Sequence, residues 1–395
     1  MSNILVINAG SSSLKFELAD FENEKTLIVG QFDGIGVSGR TCLRKIKFND
    51  KKLKDEFDIL EHDLAVSNLL DFLIENNIIT SFFEINYVVH RIVHGAEKYN
   101  KTTELTSEVL EDLKKYNFLA PLHNPVNLKC VEILKGHLPE STKHFGVFDT
   151  AFHSTIPLEN YLYALPIELY EKFKIRSYGF HGSSHKFVSR KACEILEKDY
   201  DSINIITCHL GNGQSICAIK NGKSFDTSMG FTPLDGLPMG TRSGSFDPEI
   251  ILFLLENGYS KEDIKKLINK QSGLLGISKQ SSDHRYIEEN AIKGCKDCTL
   301  ANDILVNRII KIIGAYISEM KGINVIVFTG GVGEHSPFLR KLVLDHFSFL
   351  GLKLDESKNN SNELIISSED SLIKVLVIPT NEELQMIRDV KELLN

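Results

Sequence analysis

The sequence predicts an α/β protein built from two similar halves. Strand-like apolar runs alternate with helical patterns along the whole chain, which is typical of α/β folds. An apolar strand, a turn of small polar residues and an amphipathic strand follow one another at residues 4–18, and again at 203–219. This repetition indicates two halves on one plan, and 395 residues suffice for two domains with separate cores.

Composition and charge exclude several classes of protein. The chain has 53 acidic and 45 basic residues, a formal charge of −8, and no basic block of the kind that binds nucleic acid. No apolar stretch approaches the ~20 residues of a membrane helix, and residues 1–10 lack the basic region of a signal peptide. The seven cysteines are scattered, as in reduced proteins. We therefore expect a cytoplasmic protein that binds neither nucleic acid nor membranes.

The first half begins with a predicted hairpin. Strands over residues 4–7 and 14–18 flank a turn of Gly and Ser residues, and Lys15 opens a strand, so the turn is not a Walker loop. The tip of such a hairpin can offer N–H groups and hydroxyls to phosphate, or it is an ordinary Ser-rich turn. Residues 45–56 predict a hairpin edge or a loop, and the apolar spacing of residues 63–75 predicts a helix.

Two charged residues of the first half are candidates for ligand binding. Arg91 lies inside the apolar strand predicted over residues 87–93, where a charge requires either a ligand anion or a salt-bridge partner. Asp149 ends the strand predicted over residues 144–148. Ligands bind at the ends of strands in α/β sheets, although an Asp there also serves as a cap or turn residue. The domain boundary is expected near this point.

The second half contains a hairpin and a long polar loop. The turn Gly211, Asn212 and Gly213 joins two apolar strands, and the loop beyond them carries Arg242 among Gly, Ser and Thr residues. The planar guanidinium donates two parallel hydrogen bonds, which suits phosphate. The alternative is a surface loop with a solvated arginine.

The rest of the second half predicts mostly helices. Ser183 or Ser184 is expected to cap a helix that ends near residue 196, and a Gly-rich turn over residues 329–334 follows a strand, as in nucleotide-binding proteins. Cys295 and Cys298 form a lone CxxC pair, which lacks the four ligands of a zinc site. Further helices are predicted over residues 248–257, 261–269, 300–320 and from 380, further strands over 325–328 and 374–378, and a polar turn region over 273–285.

Nine segments, in this order, resemble the acetate kinase (acetokinase) family. They are NAGSSSLKF (residues 8–16), HRIVHG (90–95), APLHNP (120–125), FDTAFH (148–153), YGFHGSSH (178–185), HLGNG (209–213), GLPMGTRSG (236–244), FTGGVGE (328–334) and PTNEE (379–383). The resemblance implies two RNase-H-like domains of the actin and sugar-kinase type with a central cleft. It implies an N-terminal domain of residues 1–150 plus 382–395, a C-terminal nucleotide-binding domain of residues 151–381, and a homodimer.

The resemblance also implies an activity, which is the reversible, magnesium-dependent transfer of the ATP γ-phosphoryl group to acetate, giving acetyl phosphate and ADP. It assigns Asp149, Arg91, Arg242 and His181 to catalysis, the last two as stabilisers of the transition state. Mg²⁺, or alternatively Mn²⁺, would bind at Asn8 and Glu382. Acetate would contact Arg91, Val93, Leu122, Phe180 and Pro233. The nucleotide would contact Lys15, His209, Leu210, Gly211, Asn212, Gly213, Asp283, His284, Arg285, Gly330, Gly331, Val332, Gly333 and Glu334.

Two departures from the family pattern concern the nucleotide preference, and other functions share parts of the pattern. His284 replaces a more apolar residue and His335 replaces Asn, which affects the expected nucleotide preference. Val93 predicts acetate in preference to propionate, but a propionate or butyrate kinase shares the chemistry. A sugar kinase would need a carboxylate base, and an actin-like filament protein would not need Arg91, Arg242 and His181 together.

Overall fold

The computed structural model describes residues 2–395, and the chain divides into two compact units. Unit 1 comprises the residues up to Ala151 together with Asn381–Asn395, and unit 2 comprises Phe152–Thr380. Each unit contains one β-sheet with helices packed against it.

Unit 1 contains an eight-stranded sheet. Its strands are β1 (Asn3–Gly10), β2 (Ser13–Asp20), β3 (Thr26–Asp33), β4 (Cys42–Phe48), β5 (Lys51–Phe57), β6 (Ile85–Ile92), β7 (Thr103–Glu104) and β8 (Lys143–Phe148). Its helices are α1 (His62–Glu75), α2 (Ser107–Lys114), α3 (Asn124–His137) and, from the end of the chain, α15 (Glu382–Leu394). The strand order is β5-β4-β3-β2-β1-β6-β8-β7. Strands β1 to β5 form an antiparallel meander, and β1, β6 and β8 are parallel.

Alternation along the strands gives the sheet of unit 1 two apolar faces. Leu5 and Ile7 of β1 belong to the core that includes α1 and α3. Ile4 and Val6 point the other way and pack with Met386 and its neighbours in α15. The last helix of the chain therefore covers one face of the first sheet, although nearly the whole sequence separates the two segments.

Unit 2 contains a five-stranded sheet of β9 (Asn204–Leu210), β10 (Gln214–Lys220), β11 (Lys223–Thr227), β12 (Val325–Thr329) and β13 (Lys374–Val377). Its helices are α4 (Leu158–Tyr161), α5 (Ile167–Phe173), α6 (Gly182–Leu196), α7 (Glu249–Glu256), α8 (Lys261–Lys266), α9 (Gly273–Ser278), α10 (His284–Ile292), α11 (Lys296–Met320), α12 (Gly330–His335), α13 (Pro337–Asp345) and α14 (Glu356–Asn360). A π-helical turn, Leu267–Gln271, continues α8.

The strand order of unit 2 is β11-β10-β9-β12-β13, with an antiparallel meander followed by two parallel strands. The central part of the other sheet, β3-β2-β1-β6-β8, has the same order and the same directions. The expected repeat of one plan is therefore present in the structure, and each repeat begins with the predicted hairpin.

The sheet of unit 2 also has two different faces. Ile206, Cys208 and Leu210 of β9 point into a core formed with α9, α10, α11 and α13. Thr207 and His209 alternate with them and point toward the opposite face, where α6 packs on β9 and β12. The apolar face stabilises the fold, whereas the face under α6 is rich in imidazole and hydroxyl groups.

Several local expectations were wrong. Residues 273–278 of the predicted turn region form helix α9 and α10 begins at His284, so only residues 279–283 are a turn, and residues 330–335 are the short helix α12. Ser183 and Ser184 do not cap α6, because the helix begins at Gly182 with His181 as its N-cap. Among the helices of residues 2–395, none is long and apolar enough to cross a membrane.

Candidate active site

In unit 1, Arg91 and Asp149 form a bidentate ion pair. The Arg91 Nε donates to Asp149 Oδ1 and its Nη2 donates to Oδ2, both at 2.8 Å. The third nitrogen, Nη1, lies 3.9 Å from Oε2 of Glu382. Burial by itself would lower the pKa of Arg91, but the carboxylates of Asp149 and Glu382 hold it above its ordinary value. The guanidinium is therefore a fixed cation in a site that the strand ends of β6 and β8 position.

Asn8 lies on the same face of the sheet as this pair. Asn8 points to the same side of β1 as Ile4 and Val6, which pack against α15, and Glu382 is the first residue of that helix. Amide and carboxylate oxygens are the protein ligands that Mg²⁺ accepts, together with water. The donor set of this face fits a divalent cation in chemical type. Within residues 2–395, no group of three or more His, Cys, Asp or Glu side chains is arranged as a metal site.

Two buried asparagines, which the sequence did not single out, hold the segment after Arg91. Asn127 accepts a hydrogen bond from the Val93 N–H and donates to the carbonyl of Ala9, at 3.2 and 2.7 Å. Asn124 pairs with both backbone groups of His94. These contacts tie the β6 exit to the β1 hairpin. Val93, the expected acyl-pocket residue, is half-buried in this arrangement, whereas Leu122 is 63% exposed.

In unit 2, three predicted residues converge on the turn between β9 and β10. A methyl group on Gly213 would lie 3.4 Å from Nε2 of His181 and 3.9 Å from Nη2 of Arg242. His181 is the N-cap of α6 and has a left-handed backbone, with φ of 58°. Such a conformation is uncommon for a residue with a side chain and is characteristic of functional sites. The turn, the imidazole and the guanidinium thus surround one small space.

Arg242 is held by neutral partners. Its Nη1 donates to the carbonyl of Pro233 at 2.8 Å and lies 3.3 Å from the Met239 sulfur. No carboxylate among the described residues pairs with it. Burial lowers the pKa of its guanidinium. The loop that presents it is closely packed, since a methyl group on Gly273, at φ of +62°, would collide with the carbonyls of Met239 and Arg242.

A chain of hydroxyl and imidazole groups supports His181 from behind. Ser215 Oγ lies 2.7 Å from His181 Nδ1 and 2.8 Å from His185 Nε2, and Thr207 Oγ1 lies 2.7 Å from His185 Nδ1. The pKa of His185 is far below its ordinary value, chiefly because of burial. His209 stacks on His181 with ring centroids 4.3 Å apart. The sequence identified His181 and His209, but the roles of Ser215 and Thr207 depend on tertiary contacts.

A cavity of about 420 Å³ lies beside the β9–β10 turn. Most of the expected adenosine contacts line it together with residues that sequence analysis did not name. The lining residues are Gly211, Asn212, Leu274, Ser282, Asp283, His284, Arg285, Gly331, Val332 and His335. His284 is buried, and burial lowers the pKa of its imidazole. Asp283 caps α10 and forms a bidentate pair with the exposed Arg285.

Seven of the expected nucleotide residues do not line this cavity. His209 and Gly213 are among them and lie beside His181 at the β9–β10 turn. Lys15 belongs to unit 1, where it is exposed on β2. Leu210, Gly330, Gly333 and Glu334 do not line the cavity. Glu334 accepts a hydrogen bond from the Gly330 N–H at 2.8 Å, and a side chain on Gly330 would collide with the carbonyl of Leu210. The turn between β12 and α12, which places Gly331 at the cavity, is shaped by Leu210, Gly330, Gly333 and Glu334.

The other acyl-pocket residues belong to unit 2. Phe180 is buried, and the carbonyl of Pro233 accepts the hydrogen bond from Arg242. The four expected residues are therefore divided between the two units, with Val93 and Leu122 in unit 1.

Comparisons with known proteins identify the family of this chain. The model of the acetokinase family matches residues 3–388. The acetate kinase of Thermosipho melanesiensis is 49% identical over 398 residues, which cover 99% of this chain and 97% of the relative. The crystal structure of Porphyromonas gingivalis acetate kinase has a TM-score of 0.93 at 43% identity, with both chains fully covered. A propionate kinase from Francisella tularensis subsp. tularensis has a TM-score of 0.92 at 40% identity, covering 98% of this chain and 99% of the other.

The family match spans nearly the whole chain, and the structural match confirms the expected α/β fold with two sheets. The chain belongs to the acetokinase family, whose members are kinases.

Proposed function

We propose that this protein is an acetate kinase, which transfers the γ-phosphoryl group of ATP to acetate and forms acetyl phosphate and ADP, reversibly. The observation that carries the proposal is that Arg242 has only neutral hydrogen-bond partners among the described residues. Its half-buried guanidinium has only a carbonyl and a thioether as partners, so its charge is uncompensated within the described residues. A cation in that position favours an anionic ligand.

Arg91 supplies the second cation of the mechanism. It is oriented before any ligand arrives, because both oxygens of Asp149 accept from it. Acetate is ionised at neutral pH, so the reaction needs no base to deprotonate the acceptor. Asp149 therefore orients Arg91, and Arg91 binds the carboxylate of the acceptor.

His181 and Arg242 would stabilise the phosphoryl group during its transfer. Charge spreads over the equatorial oxygens in such a transfer, and catalysis is mostly positioning and charge stabilisation. The N-terminus of α6 adds backbone N–H groups and the positive end of its dipole at His181. Asn212 and the glycines beside it would meet the phosphates, and the cavity of about 420 Å³ would hold the adenosine.

Asn8 and Glu382 would hold the divalent metal, for which we propose Mg²⁺ with Mn²⁺ as a substitute. The ion supplies charge neutralisation of the phosphate oxygens during the transfer. The chain's own contribution is to keep Glu382 at the start of α15, where it also faces Arg91. Glu383, the next residue, adds a further carboxylate to the same helix turn.

A hydroxamate assay tests the proposal directly. Acetate, ATP and Mg²⁺ should give acetyl hydroxamate in the presence of hydroxylamine, and omission of any one should abolish the product. The Arg242→Ala variant serves as the matched control, because the neutral partners of Arg242 leave the fold intact without it. Product formation by folded Arg242→Ala at the wild-type rate would refute the assignment of this arginine.

A propionate kinase is the second candidate, because the propionate kinase of Francisella tularensis matches this chain almost as well as acetate kinase does. Val93 argues for acetate, since a larger residue in a small apolar pocket excludes the extra methylene. The ratio of kcat/KM for acetate and propionate separates the two candidates, and a ratio in favour of propionate would replace the first proposal.

We also propose that the protein is a cytoplasmic homodimer. Helix α7, with the sequence EIILFLLE, has no buried residue, and Ile250, Leu252, Phe253 and Leu255 are each more than 40% exposed. An apolar surface of this kind typically marks an interface, and a second copy of the chain is the occupant that the resemblance implies. Phe253→Asp should shift the mass measured by light scattering from dimer to monomer.

All seven cysteines are free thiols, and free thiols are typical of proteins in the reducing cytoplasm.

A further inference from the structure

The CxxC pair of the sequence occupies the start of the longest helix. Cys295 is the N-cap of α11, and Cys298 lies in the first turn of the same helix. Residues three apart on a helix are neighbours. The two cysteine side chains are therefore neighbours at the first turn of α11.

The two thiols differ in access to solvent. Cys298 is fully buried in the core of unit 2, whereas Cys295 is half-buried at the edge of that core. The other five cysteines of the chain are all buried. An accessible sulfur beside a buried partner, at the N-terminus of a helix, is the arrangement of an attacking and a resolving thiol.

The chemical state of the sulfurs supports this division. The N–H of Cys298, followed by its thiol, lowers the pKa of Cys295, whereas burial raises the pKa of Cys298 to about 11. Burial also raises the pKa of the remaining five thiols. Cys295 is thus the cysteine of this chain that most readily becomes a thiolate.

We propose that Cys295 and Cys298 form a reversible thiol–disulfide site. The Cys295 thiolate attacks one sulfur of a small-molecule or protein disulfide, and the first thiolate of that reagent leaves. Cys298 then loses its proton and attacks the Cys295 sulfur, and the second thiolate leaves. The chain gives up two electrons and two protons, and the reagent disulfide becomes two thiols.

The site is linked to the nucleotide cavity through one side chain. The Gln280 amide donates to the Cys295 sulfur at 3.5 Å, and its carbonyl accepts from the Tyr286 hydroxyl at 2.8 Å. Ser282 and Asp283, which follow Gln280, line the cavity. Formation of the disulfide draws the Cys295 sulfur toward α11, which loosens its contact with Gln280. This link to nucleotide binding rests on the proposed function, whereas the disulfide itself does not.

Peptide mapping tests the disulfide without any activity measurement. The full-length protein is equilibrated with glutathione disulfide, and free thiols are blocked with N-ethylmaleimide before digestion with trypsin. Lys296 separates the two cysteines, so the oxidised pair should appear as two peptides, residues 294–296 and 297–308, joined by a disulfide. Dithiothreitol should release them. Absence of the linked pair at saturating oxidant would overturn the proposal.

Two variants test the roles of the thiols. Cys298→Ala should retain a stable glutathione adduct on Cys295, and Cys295→Ser should form no adduct, while Ser is a residue that helix N-caps favour. An adduct on Cys298 in Cys295→Ser would reverse the assigned order. About one zinc ion per chain in the purified protein, released as the thiols are modified, would identify a metal site instead and overturn the proposal.

The kinetic consequence is measured separately. Oxidation should change the KM for ATP by about fivefold or more, a typical coupling between linked sites, and leave the KM for acetate unchanged. Cys295→Ser should show no response to the oxidant. If the linked peptides form but the KM for ATP does not change, the disulfide stands and its coupling to the cavity is refuted. If the wild type has no kinase activity, only the proposed function fails.

Discussion

The two arginines of the proposed site should respond very differently to replacement by alanine. Arg91 neutralises Asp149, whose side chain is 4% exposed, and lies 3.9 Å from Glu382. Arg91→Ala leaves these carboxylates without a cation. Arg242→Ala removes a guanidinium whose partners are a carbonyl and a thioether, and leaves no charge behind. Both variants should lose turnover, but only the first should lose stability.

The magnitude follows from the geometry of the ion pair. Breaking a buried pair by removing one partner costs about 3–5 kcal/mol, because the remaining charge is uncompensated. In a unit of this size, that corresponds to a fall in Tm of roughly 10 °C. Protonation of Asp149 limits the loss. Arg242→Ala should change the free energy of unfolding by no more than about 1 kcal/mol, because it leaves no buried anion without a partner.

Urea unfolding followed by circular dichroism, with the hydroxamate assay alongside, measures both quantities. The double variant Arg91→Ala/Asp149→Ala should recover at least about 2 kcal/mol relative to Arg91→Ala, since no unpaired carboxylate remains. Equal destabilisation by Arg91→Ala and Arg242→Ala would refute the argument. So would a double variant no more stable than Arg91→Ala.

Three further outcomes are expected. Glu382→Ala should raise the Mg²⁺ concentration needed for half-maximal activity and lower kcat, with Glu383→Ala milder; equal effects would remove the distinction between the two carboxylates. Val93→Ala should raise the propionate-to-acetate ratio of kcat/KM by about tenfold, the value of one methylene in an apolar pocket, and an unchanged ratio would make Val93 a core residue only. Ser215→Ala should lower kcat by about 10- to 100-fold with little change in KM, because His181 loses the hydroxyl that orients it; an unaltered kcat would contradict that role.

Local patterns in the sequence predicted the two hairpins but not β3 or β11. The hairpins β1–β2 and β9–β10 have apolar strands joined by turns that contain Gly, so both hairpins were predicted at the correct positions in the sequence. The residues that motifs named in unit 2 also converge, since Gly213, His181 and Arg242 surround one space. Gly213 lies in the turn of a predicted hairpin, whereas His181 and Arg242 lie in segments that follow no strand directly, and the family resemblance identified their roles.

Helix α12 shows why other elements were missed. Three of its six residues are Gly, and each costs about 1 kcal/mol of helix propensity relative to Ala. The buried Arg340 compensates by donating to the carbonyls of Gly333 and Glu334 at the end of the helix, and Glu334 accepts from the Gly330 N–H at its start. Side-chain hydrogen bonds override the local preference. Arg340 is itself held by Asn359 and Asn362, which lie in a later segment of the chain.

The start of α6 was missed for a related reason. Ser184 has the residue type of an N-cap, but its hydroxyl contacts His209 and Thr380 instead of the helix backbone. His181 occupies the cap position in a left-handed conformation that sequence statistics disfavour. The local rule fails where side chains serve the site, which is the expected place for such a failure.

The hydrogen bonds behind His181 determine which of its ring nitrogens carries the proton. His185 is neutral, so one ring nitrogen donates and the other accepts. Ser215 has one hydroxyl proton to give to either of its two imidazole neighbours. If Thr207 donates to His185, then His185 donates to Ser215, and Ser215 donates to Nδ1 of His181. A neutral His181 then carries its proton on Nε2, the nitrogen beside Gly213. The direction of the Thr207 hydroxyl, buried on β9, thereby determines whether His181 can donate a hydrogen bond to a phosphoryl oxygen.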